Sequence, residues 1–314
     1  MARAAGRVTA VGANLGTPAL DLIDPHVALY VLELSSFQLE LTHSLAPLVA
    51  TVLNVSDDHL DRHGSIEAYV NAKARIYAHS RIIVVNRDDA RVMALPFGHA
   101  RRIGFGLDAP PTPSDYGLRE AMLYRGEQPL LMASDVPLAG RHNLANVLAA
   151  WALAAAAGVD DAAIARAVRA FRPLAHRLTP AGEHAGVRYL DDSKATNVSA
   201  AIATLAGLDG PLVVIAGGQG KGQDFTAFAA VLAERARAVI LLGVDAPLIA
   251  RALAGRIPVV QATTMEQAVA EAARCAQPGD SVVLAPACAS FDLFDNYGAR
   301  GDAFVRAVAA FDDC

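Results

Sequence analysis

The sequence predicts an α/β protein of two domains, each built on a parallel sheet. Short runs of apolar and β-branched residues, such as 27–32, 48–55 and 212–216, alternate with longer segments that have apolar residues at helical spacing. This alternation is typical of parallel sheets covered by helices. Arg172 and Pro173 end a predicted helix, so we place the domain boundary there, giving domains at 1–172 and 173–314.

The first domain begins with residues 1–10, which resemble the tail of a helix and lead into a short strand. Its further strands are expected at 27–33, 48–55 and 81–86, the first of them buried on both faces. Helices are expected from Ser36, at 65–79, at 140–158 and at 160–171. Residues 106–138 are rich in proline and predict a small antiparallel excursion at the edge of the sheet.

The second domain alternates strand and helix throughout, which predicts a Rossmann-like, doubly wound fold. Strands are expected at 187–190, 212–216, 238–242, 258–260 and 281–285. Helices are expected near 196–207, 224–236, 246–254, 264–276 and 300–311.

Composition excludes some classes of function. Hydrophobic residues make up 54% of the chain, but no apolar run approaches the ~20 residues of a membrane span. The net charge of −5 and the lack of a basic tract argue against nucleic acid as a partner. Three cysteines without metal-ligand spacing, and no visible secretory signal, predict a reduced, cytoplasmic protein.

Glu33 closes the apolar run at 27–32, at the expected ligand-binding end of a parallel strand. An unpaired carboxylate buried there would cost several kcal/mol, so Glu33 requires a hard cation, an arginine or a helix N-terminus as its partner. Asp57, Asp58 and His59 follow the next strand. Oxygen-rich coordination by Glu33 with His59 would favour Mg²⁺ or Mn²⁺ over zinc, whereas a solvated polar loop is the alternative.

Two other polar residues, Asn14 and Lys73, have both a ligand-binding and a structural interpretation, and Asn146 has a ligand-binding one. Asn14 lies between Gly12 and Gly16, where it faces a ligand or stabilises a turn. Lys73 is flanked by alanines on a helix and is either a ligand-facing or modified lysine or a surface side chain. Asn146 follows a Gly-Arg-His-Asn helix start, a position that favours anions and nucleotides.

Three polar loops of the second domain each follow a predicted strand, at 191–197, 217–222 and 286–291. The carboxyl ends of parallel strands meet at one edge of a sheet, so we expect these loops to converge there. The glycine loop at 217–222 is not a Walker A motif, which requires GxxxxGK[ST]. The convergence of the three loops is therefore the stronger indication of a ligand site.

Eight motifs in one order resemble the Mur ligases, and most closely the MurD family. They are ELSSFQLE, NVSDDHLDRH, the Lys73 helix, GRHNLANVLAA, HR at 176–177, DDSKATN, GGQGKG and PACASFD. The resemblance implies a monomeric enzyme with a central ATPase domain and a C-terminal amino-acid domain. It implies that ATP phosphorylates the carboxylate of UDP-N-acetylmuramoyl-L-alanine (UDP-MurNAc-L-Ala), and that D-glutamate then attacks the acyl phosphate, in peptidoglycan precursor synthesis.

The resemblance also implies a role for each matching residue. It implies catalytic and Mg²⁺-binding roles for Glu33, His59 and a carbamylated Lys73. It places Asn14 near the substrate and metal, and Asn146, Arg177 and Asp192 at the nucleotide. The residues implied on the D-glutamate side are Lys194, Thr196, Lys221, Ser290, Phe291 and Tyr297, the last being an unusual aromatic at its position.

The family's phosphate-binding loop, GTNGKS/T, and its UDP-binding domain have no counterpart in these 314 residues. The central domain is therefore expected to be incomplete. We expect little or no ligase turnover from this chain alone, because the triphosphate lacks the amides and lysine of that loop. A non-catalytic ligand-binding fragment and a related folylpolyglutamate-type ligase are the alternative interpretations.

Overall fold

The computed structural model describes residues 1–14, 16–56, 59–138 and 140–311. The chain divides into two compact units, Met1–Arg172 and Pro173–Cys314. Among the described residues, no helix combines the length and apolarity needed to cross a membrane.

The first unit contains two separate sheets. A two-stranded parallel sheet pairs β1 (Thr9–Ala13) with β2 (Leu29–Glu33). A six-stranded sheet follows the chain order from β3 to β8, parallel as far as β6 and antiparallel beyond it. Its strands are β3 (Val49–Val52), β4 (Ile82–Asn86), β5 (Arg101–Phe105), β6 (Tyr116–Arg119), β7 (Met122–Arg125) and β8 (Gln128–Met132).

Helices pack on both faces of the six-stranded sheet, as expected for an α/β domain. Trp151 and Leu148 of the long helix α5 are fully buried against Val84 and Phe105 on one face. Tyr69 and Tyr77 are buried in the cluster on the other face. The helices are α1 (Ser36–Glu40), α2 (Leu60–His63), α3 (Ile66–Ala74), α4 (Ala90–Met93), α5 (Arg141–Ala156) and α6 (Asp161–Arg169).

The second unit has one six-stranded sheet in the order β13-β12-β11-β14-β10-β9. Neighbouring strands are parallel except for β9, which pairs antiparallel with β10. The strands are β9 (Thr179–His184), β10 (Val187–Asp191), β11 (Leu212–Ala216), β12 (Ala236–Leu241), β13 (Val259–Gln261) and β14 (Ser281–Leu284). The doubly wound architecture predicted from the sequence is confirmed.

The helices of the second unit cover both faces of its sheet, with separate apolar clusters on each side. Side chains of Asn197, Thr264 and Asn296 accept hydrogen bonds at the starts of three of them, which explains where those helices begin. The helices are α7 (Val198–Ala206), α8 (Thr226–Arg235), α9 (Ala246–Leu253), α10 (Met265–Cys275) and α11 (Tyr297–Ala309).

The predicted burial of the strand at 27–33 is wrong. Within β2, 38% of Tyr30 and 48% of Val31 is exposed, and Glu33 is exposed as well. The apolar run indicated a strand covered on both faces, but β2 pairs with β1 alone among the described strands. At the start of the chain, Arg3–Ala5 forms a 3₁₀ helix that ends at Gly6 and precedes β1, in agreement with the expected helix tail and short strand.

Candidate active site

Glu33 and Asn14 meet at the carboxyl ends of β1 and β2. The backbone amide of Asn14 donates to the carbonyl oxygen of Glu33 at 2.8 Å, and its side-chain Nδ2 donates to Glu33 Oε1 at 3.1 Å. The carboxylate of Glu33 is thus exposed and accepts a hydrogen bond from an amide. It is not the buried carboxylate that the sequence predicted. Exposure weakens the burial argument for a metal but leaves the carboxylate open to solvent and ligands.

Imidazole and aromatic rings form a cluster beside this edge. The His59 ring lies 5.1 Å from that of Phe37, and the His63 ring stacks on Phe37 at 5.5 Å. His63 Nε2 lies 3.0 Å from Ser36 Oγ, and its Nδ1 lies 3.3 Å from Glu40 Oε1. His63 is therefore held by α1, whereas His59 is exposed on a loop with a left-handed φ of 52°.

Lys73 is half-buried on α3, with its Nζ 4.8 Å from the ring centroid of Tyr69. The aromatic face stabilises the ammonium by a cation–π interaction. Asn146 is exposed on α5, where its Nδ2 donates to Asn143 Oδ1 at 3.2 Å. Both side chains therefore occupy ordered positions on helices of the first unit.

Glu33 and Asn14 provide oxygen donors of the kind that Mg²⁺ prefers. Their exposure leaves room for the water ligands that this ion retains, so the donor set fits a partly hydrated Mg²⁺. Among the described residues, no three His, Cys, Asp or Glu side chains converge on one point. Asp57 and Asp58, the other carboxylates expected near His59, lie outside the described residues.

The three polar loops of the second unit lie together, as the sequence predicted. Their strands β10, β14 and β11 are adjacent and parallel, so the loops emerge at one edge. Backbone hydrogen bonds of 2.9 Å in both directions join Gln219 to Ala289, and Ala287 N donates to Ala195 O at 3.0 Å. The three loops are therefore hydrogen-bonded to one another at this edge, where Gln219, Lys221 and Phe291 are exposed.

Arg300 on α11 donates hydrogen bonds to two of these loops, those at 191–197 and 286–291. Its Nε and Nη2 each donate at 2.9 Å, to Oγ and to the carbonyl oxygen of Ser193, and its Nη1 donates to Cys288 O at 3.1 Å. Burial lowers the pKa of this guanidinium to about 10, although nearby Asp292 and Asp191 oppose the shift. It therefore remains a buried cation at neutral pH.

The expected nucleotide residues of the second unit differ in accessibility. Arg177 is exposed, whereas Asp192 is buried and accepts from Leu178 N at 3.1 Å and from Thr204 Oγ1. Burial raises the pKa of Asp192, and those two hydrogen bonds counteract the rise. Asp192 holds its own loop in this way, and a ribose contact for it stays a prediction.

The residues expected to face D-glutamate are distributed over all three loops and the start of α11. Lys194 Nζ lies 4.3 Å from the ring centroid of Tyr297, so these two residues are in contact. Lys221 is exposed with a left-handed φ of 53°, and Phe291 is 65% exposed. Ser290 is buried and Thr196 half-buried within their loops.

Sequence reasoning missed two residues that position these loops. Arg300 lies on α11, and the sequence around it contains no recognisable motif that would have indicated its role. Gln223 accepts from Val198 N at 3.0 Å and donates to Gly220 O at 2.9 Å, which links the glycine loop to the start of α7. Its position directly after the GGQGKG motif was the available signal.

Comparison with known proteins gives matches in both units. The Mur ligase middle domain family matches residues 12–154, and the Mur ligase glutamate ligase domain family matches residues 176–288. Solved structures with the same fold include a pseudomurein peptide ligase type C from Methanothermus fervidus, with a TM-score of 0.71 and 17% identity. That likeness covers 90% of this chain and 68% of the other.

MurF from Acinetobacter baumannii is similar in fold, with a TM-score of 0.68, 20% identity, and coverage of 88% of this chain and 67% of that one. Relatives found by sequence have a much higher sequence identity to this chain. The UDP-N-acetylmuramoylalanine–D-glutamate ligase of Methylobacillus flagellatus is 48% identical over 98% of this chain and 69% of its own length. The ligase of the same name from Pseudomonas putida is 48% identical over 98% and 70%. The chain therefore belongs to the family of UDP-N-acetylmuramoylalanine–D-glutamate ligases.

Proposed function

We propose that the protein acts on UDP-MurNAc-L-Ala and D-glutamate in an ATP-dependent ligase reaction. A carboxylate oxygen of the substrate attacks the γ-phosphorus and ADP leaves. The amine of D-glutamate then attacks the acyl carbon, phosphate leaves, and an amide bond remains. The convergence of three polar loops on one edge of the second unit carries this proposal, together with the names of the relatives.

The second unit binds D-glutamate in this proposal. Lys221 presents an exposed ammonium to one carboxylate, and Lys194 presents another from beside the Tyr297 ring. Two cations suit a dicarboxylate, because charge-assisted hydrogen bonds are stronger than neutral ones. Thr196 and Ser290 offer hydroxyl groups, and the exposed Phe291 ring covers the ligand's methylene groups. The preformed loops hold the amine in position for attack.

The first unit carries the residues proposed for the metal and for part of the nucleotide. Glu33, with Asn14 beside it, and His59 would hold Mg²⁺, and a carbamylated Lys73 would add a carboxylate-like ligand. When bound, the ion neutralises charge on the phosphates. Asn146 in this unit and Arg177 and Asp192 in the second unit are proposed as nucleotide contacts. We infer that the enzyme works as a cytoplasmic monomer on small-molecule substrates.

Calorimetric titration with D-glutamate tests this assignment, because it depends only on residues of the second unit. We expect measurable binding of D-glutamate, with D-glutamine binding more weakly because it has one carboxylate fewer. Lys221→Met should weaken D-glutamate binding at least about tenfold, the effect of losing one charge-assisted contact. Arg251→Met, which removes an exposed cation on α9, is the matched control.

The assignment is wrong if Lys221→Met and Arg251→Met bind D-glutamate equally well. Equal affinity for D-glutamate and D-glutamine would likewise refute recognition of two carboxylates. Titration with ADP in the Arg177→Met variant tests the nucleotide role separately, and unchanged ADP affinity would remove Arg177 from the nucleotide site.

A further inference from the structure

Two adjoining cavities open at the amino ends of strands in the first unit. Their volumes are about 200 and 680 Å³, and both are lined by Arg75, Ala78 and His79. The larger one is also lined by Arg81, which directly precedes β4, and by His99, which lies two residues before β5. We call the combined feature the basic groove, defined by His43, Arg75, His79, Arg81 and His99 with the adjacent Arg101.

The charge of the basic groove is opposite in sign to that of the whole chain. None of the described residues that line the two cavities is Asp or Glu. Three stretches of sequence that build this region, 41–56, 68–87 and 90–107, contain no Asp or Glu at all, although the chain has a net charge of −5. A concave surface lined by one sign of charge concentrates ligands of the opposite sign.

The arginine and histidine side chains of the groove are either exposed or held by hydrogen bonds to the backbone. Arg75 is fixed by its Nε, which donates to Leu39 O at 2.7 Å, and by its Nη2, which donates to Thr42 O at 2.9 Å. His79, Arg81 and His99 are exposed, and their side chains form no hydrogen bond or ion pair with the described residues. The Arg81 guanidinium and the two imidazole rings therefore remain available as hydrogen-bond donors to an external anion.

Apolar side chains accompany these charges. Tyr77, Pro96 and Phe97 line the larger cavity, and the guanidinium of Arg102 lies 5.4 Å from the Phe97 ring centroid. A flat bilayer would contact only the rim of a concave groove. A peptide with acidic and apolar side chains can enter it and place carboxylates against arginine and histidine.

We propose that the basic groove binds an acidic peptide segment of a partner protein. The groove lies at the amino ends of β4 and β5, whereas ligands of open α/β sheets bind at the carboxyl ends. The basic groove therefore lies at the other end of β4 and β5 from the edge where such sheets bind ligands. None of the residues assigned to the ligase reaction is among the described residues that line the two cavities.

Fluorescence polarisation with a fluorescein-labelled peptide of alternating glutamate and phenylalanine tests the proposal. The chain should bind this peptide saturably at low salt, and binding should weaken as salt is added. A peptide with glutamine in place of glutamate should not bind. Arg81→Glu/Arg101→Glu should weaken binding about tenfold or more, because two attractive charges become repulsive.

Arg166→Glu/Arg251→Glu is the control, since it changes net charge equally at exposed positions on α6 and α9. Circular dichroism melting establishes that both double variants are folded. Absence of saturable binding at low salt overturns the proposal, as does equal weakening by the two double variants. Binding to phosphatidylglycerol vesicles that requires Arg81 and Arg101, without peptide binding, would identify a membrane surface instead and also overturn it.

Discussion

Gly301→Ala should destabilise the second unit even though alanine is the better helix former. Gly301 lies within α11, where a Cβ atom would overlap Nδ1 of His176 and lie 2.7 Å from its Cγ and 2.8 Å from Asp191 Oδ2. His176 Nδ1 is 2.6 Å from that same oxygen, so the added methyl group must displace this pair.

The expected change in the free energy of unfolding is the sum of one stabilising and two destabilising effects. Alanine at a helix interior gains about 1 kcal/mol over glycine. Overpacking costs about 1–3 kcal/mol, and disrupting a buried charge-assisted hydrogen bond costs about 1–3 kcal/mol. The net expectation is a loss of about 1–5 kcal/mol in the free energy of unfolding, because the steric and hydrogen-bond costs together exceed the gain in helix propensity.

Urea denaturation followed by circular dichroism measures the loss, and hydrogen exchange of the 297–309 peptide assigns it to α11. His176→Ala/Gly301→Ala is the companion variant, because removing the ring makes room for the methyl group. The two substitutions should couple by about 1–3 kcal/mol. A Gly301→Ala protein as stable as the wild type, or two additive substitutions, would refute the reasoning.

Three further predictions concern buried groups of the second unit. Arg300→Lys retains a cation but not the planar fork, so it should lower the unfolding free energy by about 1–3 kcal/mol in urea, and an unchanged midpoint would contradict this. Burial raises the pKa of Asp192, so the protonated carboxyl stabilises the fold below about pH 4, and this contribution to the free energy of unfolding is lost as pH rises through the folded-state pKa. Asp192→Asn should abolish this loss of stability with rising pH. An unchanged pH profile of stability in that variant would argue against the prediction. Burial raises the pKa of Cys288 to about 12, so iodoacetamide at mildly alkaline pH should alkylate the half-buried Cys275 well before Cys288 in native protein, as peptide mass spectrometry will show; equal labelling would count against it.

The doubly wound second unit was predictable because its strands are short apolar runs covered by helices on both faces. Leu212–Ala216 is buried throughout, as such a run indicates. The segment Thr179–His184 contains proline and glycine and lacks alternation, so its antiparallel pairing with β10 was not predictable. Its strand conformation depends on that partner and not on local preference.

Sequence motifs identified the loops of the candidate site but not the contacts within it. The Lys194–Tyr297 contact and the bonds from Arg300 to Ser193 join residues far apart in the chain. The burial of Glu33 was predicted wrongly for a related reason. The apolar content of β2 indicates a strand, but whether its faces are covered depends on neighbours that the local pattern does not specify.

The three hydrogen bonds of Arg300 have a consequence for protein engineering. One side chain bonds to both Ser193 and Cys288, so the loops at 191–197 and 286–291 share a single anchor on α11. Transplanting either loop alone from a ligase of different amino-acid selectivity would break this shared anchor. A successful exchange of selectivity would therefore transfer both loops together with helix α11.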